Sequence, residues 1–184
     1  MSEQVGSPEA LHEGRFLRLM RRDIPGGWWE YVERQGIEGI VLMLAIDDNG
    51  RVPLVRQFRV PVDGHVWELP AGLCDSDEPM ERVAVRELEE ECGYTAHRVR
   101  HLMRGPASQG AASMILDFYL LTELEPADGV EGDEVFPITT EWVALDELEE
   151  FVMDRLARNE LVDIRILAAL KAVERLIRRG EIAL

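Results

Sequence analysis

Apolar and polar residues alternate through most of the chain up to residue 69 and again between 96 and 144, whereas 79–92 and the stretch from 146 onward follow a helical period. Short strands are predicted over 16–22 and 28–33, on either side of the Pro25-Gly26-Gly27 turn. A longer strand covers 36–47, and Asp48-Asn49-Gly50 turns it into a hairpin partner at 52–60. A short strand at 66–69 leads through Pro70-Ala71-Gly72 to a helix. That helix has Met80, Ala84, Val85, Leu88 and Cys92 on one arc, Pro79 at its entry and Gly93 as its stop. Further strands fall at 96–103, 114–122 and 136–144. Asp146 is placed to cap a helix reaching about residue 156, with Leu148, Phe151 and Val152 at helical spacing. A final amphipathic helix over 161–179 turns Ile164, Leu167, Ala168 and Leu170 inward. Mixed strands around one central helix, with further helices outside, predict an α+β fold, an α/β/α sandwich, and not a doubly wound parallel sheet.

The chain has 184 residues, enough for one domain with a sizeable core, and nothing in it reads as a linker. Residues 14–184 are taken as that domain and the polar residues 1–13 as a flexible N-terminus. No apolar run reaches transmembrane length, and the N-terminus lacks the apolar core of a signal peptide. Two cysteines are too few for a disulfide scaffold, so a cytoplasmic setting is expected. Twenty basic residues against 36 acidic ones leave a net charge of −16. That balance argues against nonspecific binding to nucleic acid or to anionic membranes. There is no glycine-rich phosphate loop of the Walker or dinucleotide type.

The candidate chemistry sits on the central helix. Glu87, Glu90 and Glu91 stand at i, i+3 and i+4, which turns all three carboxylates to one side. Like charges so close repel, and a hard divalent cation with oxygen ligands relieves the repulsion. Magnesium then favours phosphate oxygens as its remaining partners, so metal-assisted phosphate chemistry is the leading expectation. Arg86 is placed to pin a metal-binding carboxylate from behind, and Glu78 lies at the positive end of the helix dipole.

Gly72, Glu78, Arg86-Glu87, Leu88, Glu90-Glu91 and Gly93 together resemble the signature box of the Nudix hydrolases, with Tyr94 standing where that signature closes on an aliphatic. Upstream, Leu54-Val55-Arg56-Gln57-Phe58-Arg59 and Val66-Trp67-Glu68-Leu69-Pro70-Ala71-Gly72 resemble the branch that cleaves ADP-ribose and other nucleoside diphosphate sugars. The resemblance covers about residues 14–156. It implies an α/β/α Nudix sandwich and a homodimer whose N-terminal strands, here within 14–35, exchange between subunits. It further implies Mg2+, with Mn2+ as a substitute, held by the carbonyl of Ala71 with Glu87 and Glu91; Glu90 either completes the cluster or binds through water. Arg56 and Arg59 match arginines that meet substrate phosphates or the terminal sugar, the alternative being alternation on a solvated strand face. Glu68 either orients a sugar hydroxyl or finishes a strand, and Trp67 is expected in the core.

Trp28 and Trp29 offer aromatic faces for a base, Trp28 being favoured, while strand alternation sets one of the pair inward. The resemblance further implies a general base from the acidic loop Glu131-Gly132-Asp133-Glu134, Glu134 first and Glu131 second, the alternative being a surface turn. His65, His97 and His101 are read as surface or packing residues. One segment departs from the branch: where a Ser-Pro-Gly followed by a glutamate is usual, this chain has Ser108-Gln109-Gly110 and no carboxylate before Asp117. That departure bears on whether ADP-ribose is the preferred substrate, and also on the metal count or on how the distal sugar is read. The rival expectations are a non-catalytic domain that senses ADP-ribose-like ligands, and a hydrolase of dinucleoside polyphosphates or other nucleotides.

Overall fold

The computed structural model describes residues 4–74, 78–127 and 135–183. Its N-terminal sheet is antiparallel, in the order β1 (Glu9–Glu13), β2 (Leu17–Ile24), β3 (Gly27–Arg34). β1 is a departure from the sequence reading: the polar segment predicted as a flexible lead-in pairs with β2 from Glu9 to Glu13. Its residues are all exposed, so no burial pattern marks it.

β4 (Gly39–Ala45) and β5 (Arg51–Arg59) flank the predicted Asp48-Asn49-Gly50 turn, but the expected hairpin does not form: β4 and β5 lie in different sheets, and the turn carries the chain from one to the other. β6 (Gly64–Glu68) follows, then β7 (Ala71–Cys74), a strand where the sequence suggested only a connection. α1 (Met80–Cys92) ends at Gly93, whose φ of 73° is the left-handed geometry glycine tolerates and whose N–H returns to the Glu89 carbonyl. β8 (Tyr94–Pro106), β9 (Ile115–Pro126), β10 (Thr139–Ala144), α2 (Leu148–Ala157), β11 (Leu161–Val162) and α3 (Arg165–Arg178) complete the chain. One mixed sheet runs β7-β4-β9-β8 and another β10-β5-β6-β11.

The alternation in β4 explains the layering. Leu42, Leu44 and the following Ile46 face one core, shared with α2 and α3 residues such as Val152, Ile166 and Leu170. Val41, Met43 and Ala45 face the other, against Val83, Ala84 and Leu88 of α1. Helices therefore cover both sides of the strands, as the sandwich expectation required.

The C-terminal region departs from the sequence reading in two ways. Asp146 lies in a 3-10 turn before α2, and no side chain caps either element. Residues 161 and 162 pair in parallel with β6 instead of opening the last helix. The Asp163 N–H donates to the Trp67 carbonyl at 2.8 Å, and its carboxylate accepts from the Arg165 N–H at 2.9 Å, so α3 starts only at Arg165. The late start rotates the buried face to Ile166, Ala169, Leu170 and Val173, leaving Ile164 and Ala168 exposed.

Leu88 is fully buried between α1 and the sheet. Leu88→Ala is expected to cost about 3 kcal/mol, read as a lower urea midpoint with an unchanged slope. At the end of the same helix, burial pushes the Cys92 thiol up to about 12, with the Glu91 charge adding to the rise and a Thr140 hydrogen bond opposing it. The folded thiol therefore stays protonated where an unfolded one ionises, and whatever stability this gives is lost as pH rises from about 9 toward 12. Alkylation of Cys92 at pH 8 should be slower in the native protein than in the urea-unfolded chain by at least about a hundredfold; comparable rates would contradict the raised pKa of this half-buried thiol.

Candidate active site

The helix meets β7 at two consecutive residues. A Cβ added to Gly72 would stand 2.1 Å from Cγ and Cδ of Glu87, so this side chain crosses space that only glycine leaves open. One turn later, Glu91 Oε2 accepts the backbone N–H of Ala71 at 3.1 Å. The end of α1 is held from the other sheet as well: Thr140 Oγ1 of β10 donates to the Glu91 carbonyl at 3.2 Å. Two carboxylates one turn apart are thus fixed over the Ala71-Gly72 backbone.

Arg86 organises the rest of the acidic group. Its Nη2 lies 2.9 Å from Glu87 Oε1, its Nη1 donates to both oxygens of Glu90 at 3.1 and 3.2 Å, and its Nε is 3.6 Å from Glu78 Oε2. Burial works against the charge on this guanidinium, but Glu87 and Glu90 outweigh it and hold its pKa above the ordinary value. Among the described residues, no three His, Cys, Asp or Glu side chains are gathered into a ready-made metal site. The donor set nevertheless fits a hard divalent ion. Glu87 and Glu91 converge on the cradle a Cβ at Gly72 would fill, Glu90 is beside them, and carboxylates with a backbone carbonyl are the ligands such ions take.

The second constellation divides between two faces. Glu68 pairs with Val55 across the β5–β6 ladder, so it shares that face of the sheet with Gln57 and Arg59. Thr140 pairs with Val55 from the other side, and its contact with Glu91 identifies this as the α1 face. There Arg59 makes a two-pronged bond to the largely buried Glu68, at 2.8 and 2.6 Å. Arg56 belongs to the opposite face: it pairs with Trp67, and its guanidinium lies 5.7 Å from the Trp67 ring, which Arg155 approaches at 5.2 Å. Arg56 and Arg59 thus take opposite faces of β5, because an odd separation on a strand sends two side chains apart. Trp67 is buried, with its indole N–H bonded to Glu160 at 2.8 Å.

Gln57 is the residue the sequence reading passed over. It is 3% exposed on the α1 face. Counting by two from Arg59 would have found it.

Trp28 and Trp29 are both exposed, at 60% and 54%, against the expectation that alternation buries one. The N-terminal sheet stands apart from the core, so neither face of β3 at this end is covered by a packed layer. Trp29 instead donates its indole N–H to the Gly110 carbonyl at 3.0 Å, and the Val32 backbone bonds Ala111 and Ser113. The departing segment 108–113 is therefore tied to β3. Asp117, also in that departing region, is buried on β9 against His101 at 2.9 Å and Arg104 at 3.5 Å. Glu131 and Glu134 lie outside the described residues.

Comparison with known proteins agrees with this geometry. A family profile described as NUDIX domain matches residues 38–168, from the start of β4 into α3. The chain is 35% identical to an ADP-ribose pyrophosphatase of Mycobacterium tuberculosis over 91% of its length and 81% of that protein's. It is 32% identical to an ADP-ribose pyrophosphatase of Bacillus subtilis, covering 95% and 84%. Among solved structures, a crystal structure of an ADP compounds hydrolase superposes with a TM-score of 0.80 over 99% of this chain and 98% of the other, at 22% identity, a likeness of fold. The carboxylate pair fixed over Ala71-Gly72 lies within the matched region, and the chain belongs to the Nudix hydrolase family.

Proposed function

We propose that this enzyme hydrolyses the pyrophosphate link of a nucleoside diphosphate sugar, with ADP-ribose as the first candidate, to give a nucleoside monophosphate and a sugar phosphate. The observation that carries the reading is the pair Glu87 and Glu91 fixed over the Ala71-Gly72 backbone. The similarity to two ADP-ribose pyrophosphatases supports the substrate class. So does a shorter match, 37% identical over 44% of the chain, to a GDP-mannose pyrophosphatase of Yersinia enterocolitica.

Glu87, Glu91 and the Ala71 carbonyl would hold Mg2+, or Mn2+ in its place, with Glu90 as a further ligand or as a partner through water. When bound, such an ion neutralises charge on the diphosphate and lowers the pKa of the attacking water. Arg86 keeps Glu87 and Glu90 aimed and offsets their mutual repulsion. Arg59, oriented by Glu68, presents a planar fork to phosphate oxygens, while Trp28 offers an aromatic face to the base. Proton abstraction falls to Glu134 or, failing that, Glu131. Segment 108–113, with Gln109 in place of a proline, reads the distal sugar.

The site works in a cytoplasmic homodimer in this reading. The exposed Phe16, Leu17, Leu19, Trp28 and Trp29 on and beside the N-terminal sheet supply apolar area for a second copy. No helix among the described residues is long and apolar enough to cross a membrane.

Glu91→Gln and Glu87→Gln should each lower kcat on ADP-ribose with Mg2+ by at least about a thousandfold while leaving the melting temperature within a few degrees. Released mononucleotide, followed over a panel of nucleoside diphosphate sugars and dinucleoside polyphosphates, gives the readout. Near-normal turnover in the Glu91 variant would remove the metal assignment, and no cleavage of any diphosphate sugar would remove the substrate class.

A further inference from the structure

The end of the box helix is gripped by a strand of the other sheet, and the grip falls on a member of the carboxylate pair. α1 stops at Gly93, and β10 touches the chain on both sides of that stop. Before it, Thr140 Oγ1 donates to the Glu91 carbonyl at 3.2 Å. After it, the Trp142 ring meets the Tyr94 ring edge-on, with centroids 4.9 Å apart. Thr140 and Trp142 hold alternate positions on one strand, so both contacts leave the same face of β10. Tyr94 is also where this box departs from the usual aliphatic close, and it is this aromatic side chain that reaches Trp142.

Glu91 depends on such a grip more than Glu87 does. A helix leaves its last four carbonyls without partners of its own, and its end frays. Gly93 returns its N–H to the Glu89 carbonyl, which the helix stop thereby serves. Glu91 is the next-to-last residue of α1, and its carbonyl is served from outside, by Thr140. Glu87 lies one turn further in, where the helix holds its own backbone. A carboxylate on a flexible side chain is aimed only as well as the backbone that carries it. Glu91 is fixed through both: its side chain to the Ala71 N–H of β7 at 3.1 Å, and its main chain to β10. β7 and β10 belong to different sheets, so this one residue spans the two.

We propose, resting on the metal assignment made above, that Thr140 is a positioning residue whose hydroxyl holds the last turn of α1 in the rotation at which Glu91 serves the divalent ion. Thr140 touches neither ion nor substrate and acts only through Glu91. Its exposure separates orientation from stability. Water replaces a lost hydroxyl at the Glu91 carbonyl, so little folding energy is at stake. Water is not tied to β10, however, and leaves the turn free to rotate. The Trp142–Tyr94 contact is packing of rings, which sets how closely the strand lies but gives no direction to a carbonyl.

Calorimetric titration of the full chain with Mn2+, without substrate, tests this apart from turnover. The site followed is the one lost in Glu91→Gln, which distinguishes it from weak binding elsewhere on an acidic protein. Thr140→Val removes the donor at nearly constant volume, and valine suits an exposed strand position. It is expected to raise the Mn2+ Kd by about tenfold and to lower kcat on ADP-ribose by a similar factor, with KM within about twofold. The melting temperature should stay within a few degrees. Thr140→Ser restores the donor and should return the Mn2+ Kd to within about twofold of the parent value. Tyr94→Leu is the packing control: it should lower the melting temperature yet shift the Mn2+ Kd by less than about twofold. An unchanged Kd in Thr140→Val overturns the proposal, as does an equal shift in Tyr94→Leu, which would reduce the effect to general loosening of the helix end. Mn2+ binding that Glu91→Gln leaves intact would remove the metal assignment and this proposal with it, a result distinct from the other two.

Discussion

Everything at the box depends on one close approach, the side chain of Glu87 lying across the backbone of Gly72. The contact needs a residue without a Cβ, a helix carried close over the edge strand, and a carboxylate at the point of closest passage. Those three demands fix how α1 docks. Burying Val83, Ala84 and Leu88 against β4 sets its height, and Gly93 ends it before Tyr94 enters β8. The Glu91 bond to the Ala71 N–H then fixes its rotation. Hydrophobic burial brings the helix down, while the polar contacts choose which residues face the strand.

Arg86 shows how a site rich in acid holds together. Carboxylates at i, i+3 and i+4 destabilise a helix through repulsion. A guanidinium with five donors can serve several of them at once, and Arg86 reaches Glu78, Glu87 and Glu90. It also lies next to the groups through which a divalent ion would be held, so it sets their direction without taking their last lone pairs. Arg59 is set by the same physics on the neighbouring strand: a two-pronged bond to the nearly buried Glu68 removes its rotamer freedom before any anion arrives.

What the sequence revealed follows from how local each signal is. The box helix was legible because its period, its entry at Pro79, its stop at Gly93 and its acidic spacing all lie within one short segment. The longer strands of both central sheets were legible through alternation, but the short β7 and β11 were not. β1 was not, because every residue in it is exposed and only pairing with β2 reveals it. The phase of α3 was missed because the Asp163 N–H bond to the Trp67 carbonyl, which delays the helix, joins residues distant in the chain. That Arg56 and Arg59 take opposite faces went unread for a simpler reason: both were matched by type, and neither was counted by strand period. Applied to β5, that period excludes Arg56 from the α1 face and adds Gln57.

The distribution of charge gives the last step. With 36 acidic residues against 20 basic ones, the protein repels the anionic class of molecules it is proposed to cleave. Long-range attraction therefore cannot bring substrate in, and recognition must depend on cations fixed at short range, where low local dielectric strengthens each contact. Arg59 meets that need on the α1 face by its bond to Glu68. There the Glu68 carboxylate holds the arginine in position. An acidic protein gains from this arrangement, because an unpaired arginine on such a surface would be drawn to whichever neighbouring acid lay nearest, and its geometry toward a phosphate would be lost.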